Sequence, residues 1–143
     1  MKFGNYAVLE PITYNFEREP EWYWKFKPPT ARDELQFQRF LFHKRSRTVN
    51  GVSEQLPATR MEAIFRQLAL TFGGTNIPKY KLVNGEWQDT GEPILKEGSS
   101  VEEIEKVLGE MPTELVQEIW SALGDHIPNW GPESGDPKDP SLE

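Results

Sequence analysis

Only two side chains in the sequence titrate near neutral pH without help, His43 and His126. His43 stands in His43-Lys44-Arg45-Ser46-Arg47, at the expected end of a helix, where cationic side chains complement the negative end of the dipole. Read as a contact, that cluster would suit phosphate or an acidic partner, but it lacks the interleaved aromatics of a nucleic-acid surface. His126 lies in Gly124-Asp125-His126-Ile127-Pro128 with one acidic neighbour and no second histidine at ligand spacing, which reads as a structural or exposed histidine. With no cysteine in 143 residues, a thiolate zinc site, a disulfide framework and a cysteine nucleophile are excluded together. The pair Glu102-Glu103 falls on the solvent face of a predicted helix, where nothing raises a carboxyl pKa enough for acid catalysis. Gly73-Gly74-Thr75-Asn76 lacks the lysine and glycine spacing of a phosphate-binding loop, and no nucleophile elbow or HExxH is present. The inventory predicts no enzyme, no metal and no cofactor.

What the chain does have is aromatic density: Tyr14, Phe16, Trp22, Tyr23, Trp24 and Phe26 fall close together near the N-terminus. In an extended segment Trp22, Trp24 and Phe26 share one face and suit a core, which turns Tyr23 outward beside Lys25 and Lys27. Trp and Tyr are also the residues enriched in protein-binding hot spots.

The elements that must position these residues follow from spacing. Ile12–Phe16 and Trp22–Lys27 alternate as strands, the second ended by Pro28-Pro29. Thr30, with Asp33 three residues on, predicts a helix cap and a helix to about Ser46, whose apolar set Leu35, Phe37, Phe40, Leu41 and Phe42 is wider than one stripe. Arg47–Gln55, with Asn50-Gly51, reads as a loop. A second helix is predicted from Pro57 to Phe72 through Met61, Ile64, Phe65 and Leu68, stopped by Gly73-Gly74. Asn84-Gly85 between Tyr80–Val83 and Glu86–Gln88 predicts a β-hairpin, closed by a loop over 89–93. Ser100 and Glu103 form a capping-box pattern before a helix over 101–109. Thr113 is expected to cap a last helix, which runs to 123 and stops at Gly124, with Trp120 mainly in the core.

The expected fold is α+β and predominantly helical, with about four helices, N-terminal strands and one hairpin. It is read as one globular domain over 1–130, including the extended aromatic segment, followed by a flexible acidic tail over 131–143. No stretch approaches a membrane span, and the first residues lack the apolar core of a signal peptide. The net charge of −7 is uneven: residues 1–88 carry 13 Lys+Arg against 9 Asp+Glu, and residues 89–143 carry 3 against 14. Such a C-terminal half repels phosphates, so direct nucleic-acid binding is not expected there, and it can face a basic partner.

Three segments, Lys27-Pro28-Pro29-Thr30-Ala31-Arg32-Asp33-Glu34-Leu35, Leu70-Thr71-Phe72-Gly73-Gly74-Thr75-Asn76-Ile77-Pro78 and Pro112-Thr113-Glu114-Leu115-Val116-Gln117-Glu118-Ile119-Trp120, resemble the tail assembly chaperones of long-tailed bacteriophages. Ile127-Pro128-Asn129-Trp130-Gly131-Pro132 is similar too, so the resemblance spans roughly residues 22–132. It implies a small acidic protein of the infected bacterium's cytoplasm that holds the phage tape measure protein during tail assembly. In that family a longer frameshifted form binds the tail tube protein; this sequence lacks such an extension and would correspond to the short form. The candidate protein-binding residues are then Arg32, Phe37, Phe40, Leu41 and Phe42 on the first helix, Tyr23 on the aromatic strand and Trp120 on the last helix, and a homo-oligomer is compatible with them. Two other classes fit the charge: an acidic inhibitor that mimics nucleic acid, which needs carboxylates in a continuous line, and a head–tail connector, which would form a closed ring.

Overall fold

The computed structural model of the chain describes residues 10–43, 45–49, 52–56, 59–127 and 129–134. Strands β1 (Ile12–Asn15) and β2 (Tyr23–Phe26) form where the alternation predicts them and pair antiparallel, Tyr14 opposite Trp24. Trp24 and Phe26 are fully buried, Trp22 is half-buried and Lys27 is exposed. Helix α1 (Ala31–His43) starts at the expected cap: the Asp33 N–H donates to Thr30 Oγ1 at 3.3 Å, and the Thr30 N–H donates to Asp33 Oδ2 at 2.9 Å.

Helix α1 ends at His43, short of Ser46, and the segment read as a loop is an antiparallel pair, β3 (Arg45–Val49) with β4 (Val52–Leu56). Val49 stands opposite Val52; Asn50-Gly51, between them in the sequence, lies outside the described residues. The basic cluster is therefore split, with His43 closing the helix and Arg45 and Arg47 placed in a strand.

Helix α2 (Arg60–Leu70) is capped by Thr59, whose hydroxyl accepts the Glu62 N–H at 3.2 Å while Glu62 Oε1 accepts the Thr59 N–H at 3.0 Å. The expected start, Pro57, lies outside the described residues. The helix closes at Thr71, whose hydroxyl donates to the Gln67 carbonyl at 2.8 Å, and the chain turns at once into β5 (Phe72–Thr75). Gly73-Gly74 is thus part of a strand and not a helix stop. A Cβ on Gly73 would come within 3.2 Å of the Lys25 carbonyl and 3.3 Å of Lys27 N, so glycine is what lets β5 lie against β2.

The hairpin β6 (Pro78–Val83) and β7 (Glu86–Pro93) turns at Asn84-Gly85, with φ of 51° and 81°, as a type I′ turn requires. Strand β7 runs through the segment expected to be a closing loop; a register irregularity near Pro78–Tyr80 and the positive φ of Gly91 absorb the extra residues. Helix α3 (Val101–Glu110) is capped by Ser100 and buries Ile104 and Leu108, leaving Glu102, Lys106 and Glu110 exposed. Helix α4 (Thr113–His126) is capped at Pro112 without a side-chain bond, so Thr113 is its first residue and not its cap. Gly124 lies inside this helix: a Cβ there would meet Pro132 Cδ at 2.7 Å, and its absence lets the 3-10 turn Gly131–Ser134 seat on α4.

Among the described residues the fold is mixed α+β, with four α-helices and seven strands in three antiparallel sheets ordered β1-β2-β5, β3-β4 and β6-β7. It is not predominantly helical, because a polar hairpin, a glycine strand and a lengthened β7 take segments read as loop or stop. The core joins β2 and β5 to α2, α3 and α4 through Trp24, Phe26, Leu68, Leu108, Ile119 and Leu123. Trp24 packs edge-to-face on Phe72 at 5.0 Å. A smaller cluster of Phe40 and Leu41, with Phe37 and Ala63 against it, ties α1 to α2. Arg66 connects three helices: its guanidinium lies 4.4 Å over the Phe40 ring, and Nε and Nη2 donate to the two Glu105 oxygens at 3.3 and 3.0 Å. No described helix is long and apolar enough to cross a membrane.

Candidate functional site

The α1 residues singled out in the sequence do not act as one set. Phe40 and Leu41 are buried and Phe37 is half-buried, packed at 5.7 Å on Trp130. Phe42, by contrast, is 60% exposed and Leu35 is 47% exposed. Arg32, Leu35, Arg39 and Phe42 recur every three or four residues, so they form one row on the helix, all exposed and opposite the buried side. This row, two cationic and two apolar residues, is narrower than the apolar set the sequence offers and lies on solvent.

The two remaining candidates, Tyr23 and Trp120, both make contacts within the fold. Tyr23 is half-buried in the three-stranded sheet: its N–H donates to Asn76 Oδ1 at 2.7 Å, its carbonyl accepts the Thr75 hydroxyl at 2.7 Å, and Lys25 Nζ lies 5.2 Å from its ring. Trp120 is half-buried rather than mainly in the core, with Arg60 4.9 Å over its ring and its Nε1–H donating to Gln67 Oε1 at 2.9 Å. Gln67 is 2% exposed, and its Oε1 also accepts the Gly131 N–H at 3.0 Å. Sequence reasoning passed over Gln67, although its position three residues after Ile64 puts it on the apolar face of α2.

No protein-family model matches the chain, and no curated protein or solved structure matches it either.

Among the described residues, the large exposed apolar side chains outside α1 are on the β6–β7 hairpin, which the sequence marks as a hairpin but not as a surface. Trp87 is 69% exposed, Leu82 54% and Tyr80 47%. Between the base of this hairpin and α3 lies a cleft of about 550 Å³. A smaller one, about 300 Å³, is floored by Phe16, Trp22 and Leu115 and crossed by the exposed ion pair of Arg18 with Glu114. Beside it the Tyr14 hydroxyl donates to Glu118 Oε2 at 2.7 Å, and the Glu17 N–H donates to the same oxygen at 3.2 Å. Burial, then this bond and the Glu118 charge, hold the Tyr14 phenol above its ordinary range. The acidic helices do not present a free line of carboxylates: Glu105 is held by Arg66, Glu114 by Arg18 and Glu118 by Tyr14. Among the described residues no group of three His, Cys, Asp or Glu side chains is placed to hold a metal ion.

Proposed function

We propose that this is a non-catalytic binding protein that holds the tape measure protein during phage tail assembly, using the exposed row of α1. The observation that carries the reading is Phe42, a large aromatic 60% exposed on a helix that begins within the segment resembling tail assembly chaperones. An exposed apolar residue flanked by Arg32 and Arg39 suits a long amphipathic helix with acidic flanks, the kind of chain that must be kept soluble until it is enclosed. The nucleic-acid-mimic reading is weakened by the partnered glutamates, since Glu105, Glu114 and Glu118, three of the seven acidic residues on α3 and α4, are engaged within the chain.

The test is a pull-down of tagged protein from infected cells with mass spectrometry of the retained chains, repeated with Phe42→Ser. The expected result is retention of the tape measure protein by the wild type and its loss from the variant at an unchanged melting temperature. A folded Phe42→Ser that retains the partner at wild-type affinity, or a wild type that retains no tail protein, ends the assignment.

A further inference from the structure

The loop between β1 and β2 packs on the N-terminal end of α4, and the cleft of about 300 Å³ lies between them. Inside the loop the Trp22 N–H donates to the Glu19 carbonyl at 2.9 Å and the Phe16 N–H to the Trp22 carbonyl at 3.2 Å. This closure brings the Phe16 and Trp22 rings edge to face, 6.5 Å apart at 81°, while Tyr14 stands 5.4 Å from Phe16 at 76°. Phe16 and Trp22 line the cleft together with Leu115 and Pro112. The cleft beside α3 has a lining with equal numbers of Lys and Glu, but this one is charged: the three carboxylates of Glu19, Glu114 and Glu118 face the single guanidinium of Arg18, a net charge of −2. The α4 N-terminus returns about half a positive charge, too little to reverse the sign. Arg18 responds to that field: its guanidinium pKa is raised, first by the Glu114 hydrogen bond and charge, with Glu118 and Glu17 adding to it.

Two acceptors remain free at this cleft. Among the described residues the Glu19 carboxylate has no ion pair or hydrogen bond, and Glu118 uses Oε2 for both the Tyr14 hydroxyl and the Glu17 N–H, which leaves Oε1. We infer that the cleft is a binding site for one basic side chain, lysine or arginine, of a partner protein, whose alkyl stem lies on Phe16, Trp22 and Leu115 and whose charge meets Glu19 and Glu118. Each part of the lining contributes to that choice. Aromatic rings beside carboxylates attract an organic cation through the ring quadrupole as well as through charge. A bare metal ion has no use for the apolar floor, and among the described residues no group of three His, Cys, Asp or Glu side chains is placed to hold one. A phosphate or carboxylate is repelled by the net charge. The mouth is open, with Arg18 77% and Glu114 68% exposed, which suits a side chain entering from a neighbouring surface better than a metabolite, which needs most of its own surface covered. The cleft uses no residue of α1 and does not rest on what the exposed α1 row holds.

The test is an NMR titration of the isotope-labelled full chain with capped glycine–serine pentapeptides that carry a central arginine, lysine or citrulline, the last neutral but close to arginine in shape. The indole N–H of Trp22, assigned by its loss in Trp22→Phe, is the reporter. The arginine and lysine peptides are expected to shift it with a dissociation constant on the order of 1 mM, and the citrulline peptide to bind at least about fivefold more weakly. Glu19→Lys should weaken arginine-peptide binding at least about fivefold, whereas Arg18→Gln, which frees Glu114, should strengthen it at least about twofold. Both side chains are exposed, so both variants should keep the wild-type melting transition, and two changes of opposite sign cannot both come from loss of fold. Phe42→Ser should bind the peptide as the wild type does, so that failure of the α1 assignment is read separately from failure of this one. No shift of the Trp22 signal at about 20 mM arginine peptide, equal binding of the citrulline peptide, or wild-type affinity in Glu19→Lys would overturn the inference. Tetramethylammonium binding more tightly than the arginine peptide would overturn it in favour of a small quaternary amine. A wild-type dimer that Glu19→Lys converts to monomer in sedimentation would overturn it in favour of a second copy of this chain.

Discussion

Gln67 Oε1 accepts the indole N–H of Trp120 at 2.9 Å from a side chain only 2% exposed, and so joins α2 to α4 by a polar contact inside the core. The same oxygen holds the Gly131 N–H, which keeps the turn after α4 folded back on the helix. Gln67→Leu removes the acceptor and strands both donors, at a cost of about 2 kcal/mol. Thermal unfolding should show a melting temperature lower by about 6 °C. An unchanged melting temperature would mean that water replaces the amide at both donors.

Gly131 and Gly85 both have positive φ, 70° and 81°, yet they should respond differently to alanine. At Gly85 nothing lies within 4 Å of an added Cβ, so Gly85→Ala costs only the left-handed backbone strain, about 1 kcal/mol. At Gly131 the added carbon would sit 2.6 Å from Gly124 Cα and 2.9 Å from the Trp120 carbonyl, so Gly131→Ala must also displace the turn from α4 and should cost about 3 kcal/mol. Urea denaturation of the two variants gives the comparison, and similar midpoints would contradict it.

Two ion pairs offer an internal contrast. Arg66 and Glu105 are each 19% exposed and doubly bonded, while Arg18 and Glu114 are 77% and 68% exposed. A double-mutant cycle with Arg66→Met and Glu105→Gln should return a coupling of about 1–2 kcal/mol that survives 0.5 M salt. The corresponding cycle at Arg18 and Glu114 should return a coupling that salt abolishes.

Tyr14 sets an alkaline limit. Its phenol is raised in the folded state, so the fold holds this proton more tightly than the unfolded chain, whose phenol titrates near pH 10. The stabilisation is fully present below about pH 10 and is lost as pH rises from there toward the folded value. Melting temperatures of wild type and Tyr14→Phe should therefore differ by a constant amount from pH 7 to 9 and converge above about pH 10. A gap that stays constant to pH 11.5 would show that Tyr14 titrates normally.

Local pattern made much of this fold legible, and long-range pairing hid the rest. The Thr30–Asp33 cap, the Asn84-Gly85 turn and the faces of α3 and α4 follow from residues a few positions apart, so the sequence shows them directly. The β3–β4 pair is equally local but has few apolar residues, so Asn50-Gly51 is its one signal in the sequence and the polar residues around it resemble a loop. Gly73-Gly74 misleads for another reason. A glycine pair after an amphipathic helix is a common stop, and only the approach of β2, far away in sequence, makes it a strand. Of the candidate site, Phe42 could be named but not separated from Phe40 and Leu41, because helical spacing reveals the existence of a wide apolar arc and not which part of it a neighbour covers. Tyr80, Leu82 and Trp87 are readable as strand residues, whereas their exposure depends on which of the described elements pack against the hairpin.

The hairpin is joined to the body at a narrow base. The Ile94 N–H donates to the Ile77 carbonyl at 2.7 Å, and Ile77 and Leu95 on either side of the ribbon are both buried. The chain thus leaves the core and returns to it at nearly the same point, which is the geometry of an insertion. Everything from 78 to 93 can lengthen, shorten or change its outward residues without altering the path of β5 or the start of α3. The outward residues of that ribbon are free to diverge at a different rate from the scaffold beneath it.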